Sequence, residues 1–197
     1  MERDAILSWF EGRLVRDIPL TIPDEIFGAM TPEVARGVVE RHGSYGLIRL
    51  PDRERRFFEW LRTADPLVWQ DLWGDAEEPY VVSVAFLESL LDDRCGFPIC
   101  DLMSTDNYYF FPAMLEWTPE ARDYTEAVRG RLLAGEKLTT EQLLVAELAL
   151  GGATDIWHFA YRHHIPVDEV KDAVRLLVED KVLVHLRSAE QLAPFLR

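Results

Sequence analysis

Residues 139 to 186 read TTEQLLVAELALGGATDIWHFAYRHHIPVDEVKDAVRLLVEDKVLVHL, and their spacing predicts three helices followed by a short strand. Thr139 and Gln142 make a Thr-x-x-Gln capping box, in which each side chain satisfies a backbone N–H that the first helical turn leaves open. The helix begun there is expected to run to Leu150. It is apolar on almost every side, which suits a position in the middle of a core. Gly151-Gly152 ends it, and Thr154 or Asp155 is placed to cap a second helix carrying Ile156, Trp157, Ala160 and Tyr161. His163-His164-Ile165-Pro166 forms the turn into a third helix over 167–179. There Val170, Ala173, Val174, Leu177 and Val178 recur at helical spacing as one apolar stripe, while Asp168, Glu169, Asp172, Arg175 and Glu179 occupy the rest. Asp168 and Glu169 also suit the positive end of the helix dipole. Asp180-Lys181 turns the chain into the strand Val182, Leu183, Val184, Leu186.

Upstream, three dipeptides share one helix-start chemistry: Thr31-Pro32, Asp65-Pro66 and Thr118-Pro119. In each, a side-chain oxygen accepts from the open N–H groups and proline presets the first turn. The helices they start are expected to end at Gly43, Gly74 and Gly135, where glycine suits a left-handed cap. A short amphipathic helix over 2–11, an extended connection over 13–23 and a strand over 45–50 are also expected. A helix over 52–62 should turn Phe57, Phe58, Trp60 and Leu61 inward, with Glu54-Arg55-Arg56 read as a solvated face. Residues 80–93 read as a buried helix, with a strand as the competing assignment for the first half. Extended pieces at 97–102 and 108–111, separated by Ser104-Thr105-Asp106-Asn107, are expected to pair as a hairpin.

The expected fold class is α+β, predominantly helical. A mostly helical N-terminal part, residues 1–137, carries small β elements, and a winged-helix-like C-terminal part, residues 138–197, holds the three helices and the strand; the hinge at 135–137 is short enough for the two to form one continuous globule. A chain of 197 residues with 48% hydrophobic and 28% charged side chains has the make-up of an ordinary globular protein. Its formal net charge of -14 repels polyanions, which disfavours nucleic acid and anionic membranes and favours basic partners. The opening MERDAILSWF has neither the basic segment nor the apolar core of a secretory signal. No apolar run approaches the roughly 20 residues of a membrane-spanning helix. A cytoplasmic location is therefore expected.

The segment IPVDEVKDAVRLLVEDKVLV, residues 165–184, with the helix and turn before it, resembles the winged helix-turn-helix superfamily. In that family a second helix, a tight turn, a recognition helix with a V-x-x-A-V-x-x-L stripe and a short strand follow in this order. The likeness covers about residues 139–187. It departs at Lys181, where the family usually has glycine, and after Arg187-Ser188, where AEQLAPFLR reads as a short helix in place of a second wing strand. The resemblance implies a recognition helix for the major groove, with phosphates neutralised by Lys and Arg. A dimer would then pool Arg162, Lys171, Arg175 and Arg187. Between Thr139 and Arg187, however, eight acidic residues face five basic ones. The expected function is therefore non-catalytic: regulation through a protein partner or self-association. A dimeric DNA-binding regulator is the alternative, and a small enzyme with an acidic or Cys/His site comes third.

No catalytic, metal or cofactor site is assigned. Cys95-x4-Cys100 lacks the C-x2-C spacing of a zinc knuckle, and the adjacent His163 and His164 point in different directions on a helix. No flanking signature marks either cysteine as a nucleophile. The carboxylates Asp92, Asp93, Asp101, Asp106 and Glu116 are read as solvated, among 35 acidic residues. Gly43-Ser44-Tyr45-Gly46 follows a helix, whereas a phosphate loop precedes one. Tyr108 to Phe111 with Trp117 is read as core packing.

Overall fold

Each of the three dipeptide starts opens a helix. The computed structural model describes residues 1–15, 18–44, 46–50, 52–75, 80–81, 84, 87, 109–110, 112–152 and 154–183. The oxygens of Thr31, Asp65 and Thr118 accept from the backbone N–H of Val34, Val68 and Ala121. Gly43 and Gly74 close two of these helices at φ of 78° and 57°, a region that costs glycine nothing. The chain divides into two compact units, Met1–Cys100 and Asp101–Arg197.

In the first unit, α1 (Arg3–Phe10) packs on α3 (Pro32–His42). The close approach is made at Gly37, where an added Cβ would lie 3.2 Å from a Leu7 methyl. Between them come β1 (Leu20–Thr21) and α2 (Asp24–Gly28); then follow β2 (Ile48–Arg49), α4 (Asp52–Ala64), α5 (Pro66–Trp73) and β3 (Tyr80–Val81). Strand β2 runs parallel to β1, pairing Ile48 with Leu20, and antiparallel to β3, pairing Ile48 with Val81. Ile6, Phe10, Ile22, Ile48, Phe58 and Leu61 are among its fully buried side chains.

Helix α4 turns Phe57, Phe58 and Leu61 inward, but Trp60 is only half-buried. Glu54 departs from the solvated face expected for residues 54–56 and is buried. Positions 54, 57, 58 and 61 fall on one side of a helix, so the carboxylate shares the face of the aromatic residues. Arg56 is exposed, and Arg55 pairs at the surface with Asp52 at 2.8 Å. Helices α4 and α5 pack together through rings, with Phe58 and Trp73 edge to face at 4.4 Å.

The second unit contains β4 (Tyr109–Phe110), a 3-10 turn (Pro112–Glu116), α6 (Pro119–Leu133), α7 (Thr140–Ala149), β5 (Thr154–Asp155), α8 (Ile156–His163) and α9 (Val167–Glu179). Thr139 and Gln142 form the reciprocal capping box at the start of α7. That helix packs on α6, α9 and the 3-10 turn, and α9 packs on α8. Leu144, Val145, Leu148, Ile156, Phe159, Val170 and Leu177 are buried there. Leu150, the residue that ends α7, is 80% exposed. The expected division at 137/138 falls inside this unit, in the connection between α6 and α7, two helices that pack on each other.

Residues Tyr109–Phe110 pair antiparallel with Thr154–Asp155. The other arm of the expected hairpin lies outside the described residues, as do most of 80–93, Cys95, Cys100 and everything after Leu183. After α9, Lys181 takes a left-handed φ of 59° without glycine. Both Val182 and Leu183 donate their N–H to the Leu177 carbonyl, at 2.8 and 3.0 Å, and are buried. The described beginning of the expected strand therefore curls back on the helix end. The fold is predominantly helical α+β with small β elements, and among the described residues no helix is long and apolar enough to cross a membrane.

Candidate functional site

Helix α9 has two faces of opposite character. Val167, Val170, Ala173, Val174 and Leu177 are buried, and Val178 is half-buried. Asp168, Asp172, Arg175, Leu176 and Glu179, at helical spacing down the opposite side, are all exposed, together with Glu169. Arg175 holds Asp172 at 3.1 Å and Glu179 at 3.5 Å. The hydrogen bond it donates to Asp172, then the charges of Asp172 and Glu179, push the guanidinium pKa further above its ordinary value. One turn earlier, Thr140 donates to Glu169 at 2.6 Å and fastens α9 to the start of α7. The shallow hollow between these helices is lined by Glu141, Glu169 and Asp172 with Lys137. Negative potential reaches Tyr124 as well: its phenol pKa is raised first by burial, then by Glu141 and Asp180.

Of the four cations expected to serve DNA, Lys171 and Arg175 stand on α9 and Arg162 on α8. Arg175 is engaged by two carboxylates of its own helix, and Lys171 is half-buried beside it. Arg162 lies on α8, where its guanidinium bonds Glu147 and donates to the Thr154 hydroxyl at 2.6 Å. Arg187 lies outside the described residues.

Glu147 joins a polar cluster that the sequence reading does not contain. Its second oxygen meets His163 Nε2 at 2.7 Å. Next to this, Asp155 caps α8 by accepting the His158 N–H at 2.8 Å, while its other oxygen meets His158 Nδ1 at 2.5 Å. Asp155 and His158 are both buried. An Asp–His pair in this position orients a helix start; neither group reaches solvent where a substrate would arrive. Among the described residues, no three His, Cys, Asp or Glu side chains come together as a metal site.

The pairing of Arg175 with Asp172 and Glu179 is readable from three- and four-residue spacing. The bonds from Glu147 to Arg162 and His163 span 15 and 16 positions, and no local pattern announces them. Comparison of the chain with protein-family models, with curated proteins and with solved structures finds no match.

Proposed function

We propose that this chain is a non-catalytic regulatory protein that acts by binding another protein, using a winged-helix-like unit of α7, α8 and α9 to present the outer face of α9. The observation that carries the reading is the make-up of that face. Four exposed carboxylates lie along that face with exposed Leu176, and Arg175 is already engaged by two of them. A DNA groove requires cations free to meet phosphate, and its affinity rests on the counterions they release. An acidic face with one protruding aliphatic side chain instead suits a basic protein surface with an apolar socket, where a buried anchor supplies affinity and the charged rim supplies steering.

The test is fluorescence anisotropy at low salt with two probes: a random-sequence duplex and a Lys/Arg-rich helical peptide carrying leucines. The expected result is salt-sensitive binding of the peptide, lost in the double variant Asp168→Lys, Asp172→Lys. The duplex should give no signal up to about 100 µM, the weak end of ordinary non-specific DNA affinity. Duplex binding that disappears with Lys171→Glu and Arg175→Glu would overturn the proposal in favour of a DNA-binding regulator.

A further inference from the structure

We infer that a second copy of this chain docks in the groove between α6 and α7, making a two-fold dimer. The groove, about 260 Å³, is lined by Thr125, Val128, Arg129 and Leu132 along one side of α6, by Ala146, Ala149 and Leu150 along α7, and by Glu126 at its edge. On each helix the apolar positions recur at three- and four-residue spacing, so they form facing ridges with a trough between them. The floor is low because Ala146 and Ala149 are small. The rim is high because Leu150 and Leu132 stand 80% and 45% exposed.

A two-fold interface is made by one patch meeting itself, so that patch has to supply both the protrusion and the hollow. This one does: Leu150 and Leu132 are the protrusions, and the Val128–Ala146–Ala149 floor is the hollow. Its charges are self-complementary too. Glu126 and Arg129 sit 3.7 Å apart, both largely exposed, so across a two-fold axis each can meet the opposite member of the other copy. On a chain of net charge -14, like copies repel over most of their surface. The groove lining holds one acidic and one basic residue, so the patch itself carries no net charge to repel a second copy. A basic partner is drawn instead to the carboxylates of α9. A second copy is the occupant that a neutral, self-complementary patch selects.

The test is light scattering after size exclusion, with sedimentation equilibrium, on the full chain. The expected mass is twice 22.8 kDa. Leu150→Glu, at a site too exposed to threaten folding, is expected to weaken the dimer about tenfold or more, as loss of an interface anchor does. Glu126→Arg and Arg129→Glu should each weaken it, and the two together should restore it. A wild-type chain that stays monomeric into the high micromolar range overturns the inference, as does a dimer indifferent to Leu150→Glu. The inference is independent of the α9 reading: a dimer that ignores the basic peptide defeats only that reading, and a monomer that binds the peptide defeats only this one.

Discussion

Asp155 holds His158 twice, once by the backbone N–H at 2.8 Å and once by ring Nδ1 at 2.5 Å, with both side chains out of solvent. One carboxylate thus starts α8 and fixes the imidazole inside the unit. Asp155→Ala removes the cap and leaves a buried ring nitrogen facing a void. A lost cap costs about 1 kcal/mol and a broken buried hydrogen bond about 1–3 kcal/mol more. Urea unfolding should therefore show a loss of roughly 2–4 kcal/mol. Asp155→Asn, which can still cap, should cost clearly less; equal losses would mean that the cap contributes nothing and that the whole effect lies in the ring contact.

Lys181 turns the chain after α9 at a φ of 59°, where a side chain is strained and glycine is not. The carbonyl it offers to Thr118 is retained by any residue. Lys181→Gly is expected to raise stability by about 0.5–1 kcal/mol, the relief of left-handed strain less the added freedom of the unfolded chain. A midpoint that shifts downward in denaturant would show that the lysine side chain stabilises the turn.

Thr118 does two jobs with one hydroxyl: it accepts from Ala121 N–H at 3.0 Å and donates to the Lys181 carbonyl at 2.7 Å. Thr118→Ala should lose both, at about 1–2 kcal/mol, and Thr118→Ser should recover most of that. Failure of serine to rescue would assign the effect to the threonine methyl group.

Burial and the charges of Glu141 and Asp180 lift the Tyr124 phenol above its ordinary value near 10. The folded state therefore holds this proton more tightly than the unfolded one. The contribution to stability is complete below the unfolded value and is lost as pH rises through the folded value. Alkaline titration followed by tyrosinate absorbance should show Tyr124 ionising later than an exposed tyrosine, and Glu141→Gln should narrow the difference. A Tyr124 that titrates with the exposed phenols would contradict this geometry.

Helix boundaries were legible because their chemistry is local. Thr31-Pro32, Asp65-Pro66 and Thr118-Pro119 each settle a cap within four residues, and the stripe of α9 repeats often enough to be read against chance. Two-residue strands carry no period, so the parallel match of Leu20 with Ile48 and the pairing of Phe110 with Thr154 could not be read along the chain. Helix α2, five residues long, lacks a repeat for the same reason. The burial of Glu54 is masked in the sequence by Arg55 and Arg56, which set the character of the tripeptide, whereas its position relative to Phe57, Phe58 and Leu61 decides it. Of the candidate site, the acidity of α9 was visible. The bond that turns Arg162 towards Glu147 depends on how α7 and α8 pack, and sequence spacing does not carry that.

The Thr118 bond to Lys181 joins positions 63 residues apart and acts as a clasp between the beginning of α6 and the end of α9. Closing so long a loop costs more chain entropy than the short connections through which α7, α8 and α9 meet. The clasp therefore shuts after those helices have assembled, and it is the natural first point of release. Amide protons of the first turn of α6 should exchange with solvent well before those of α7.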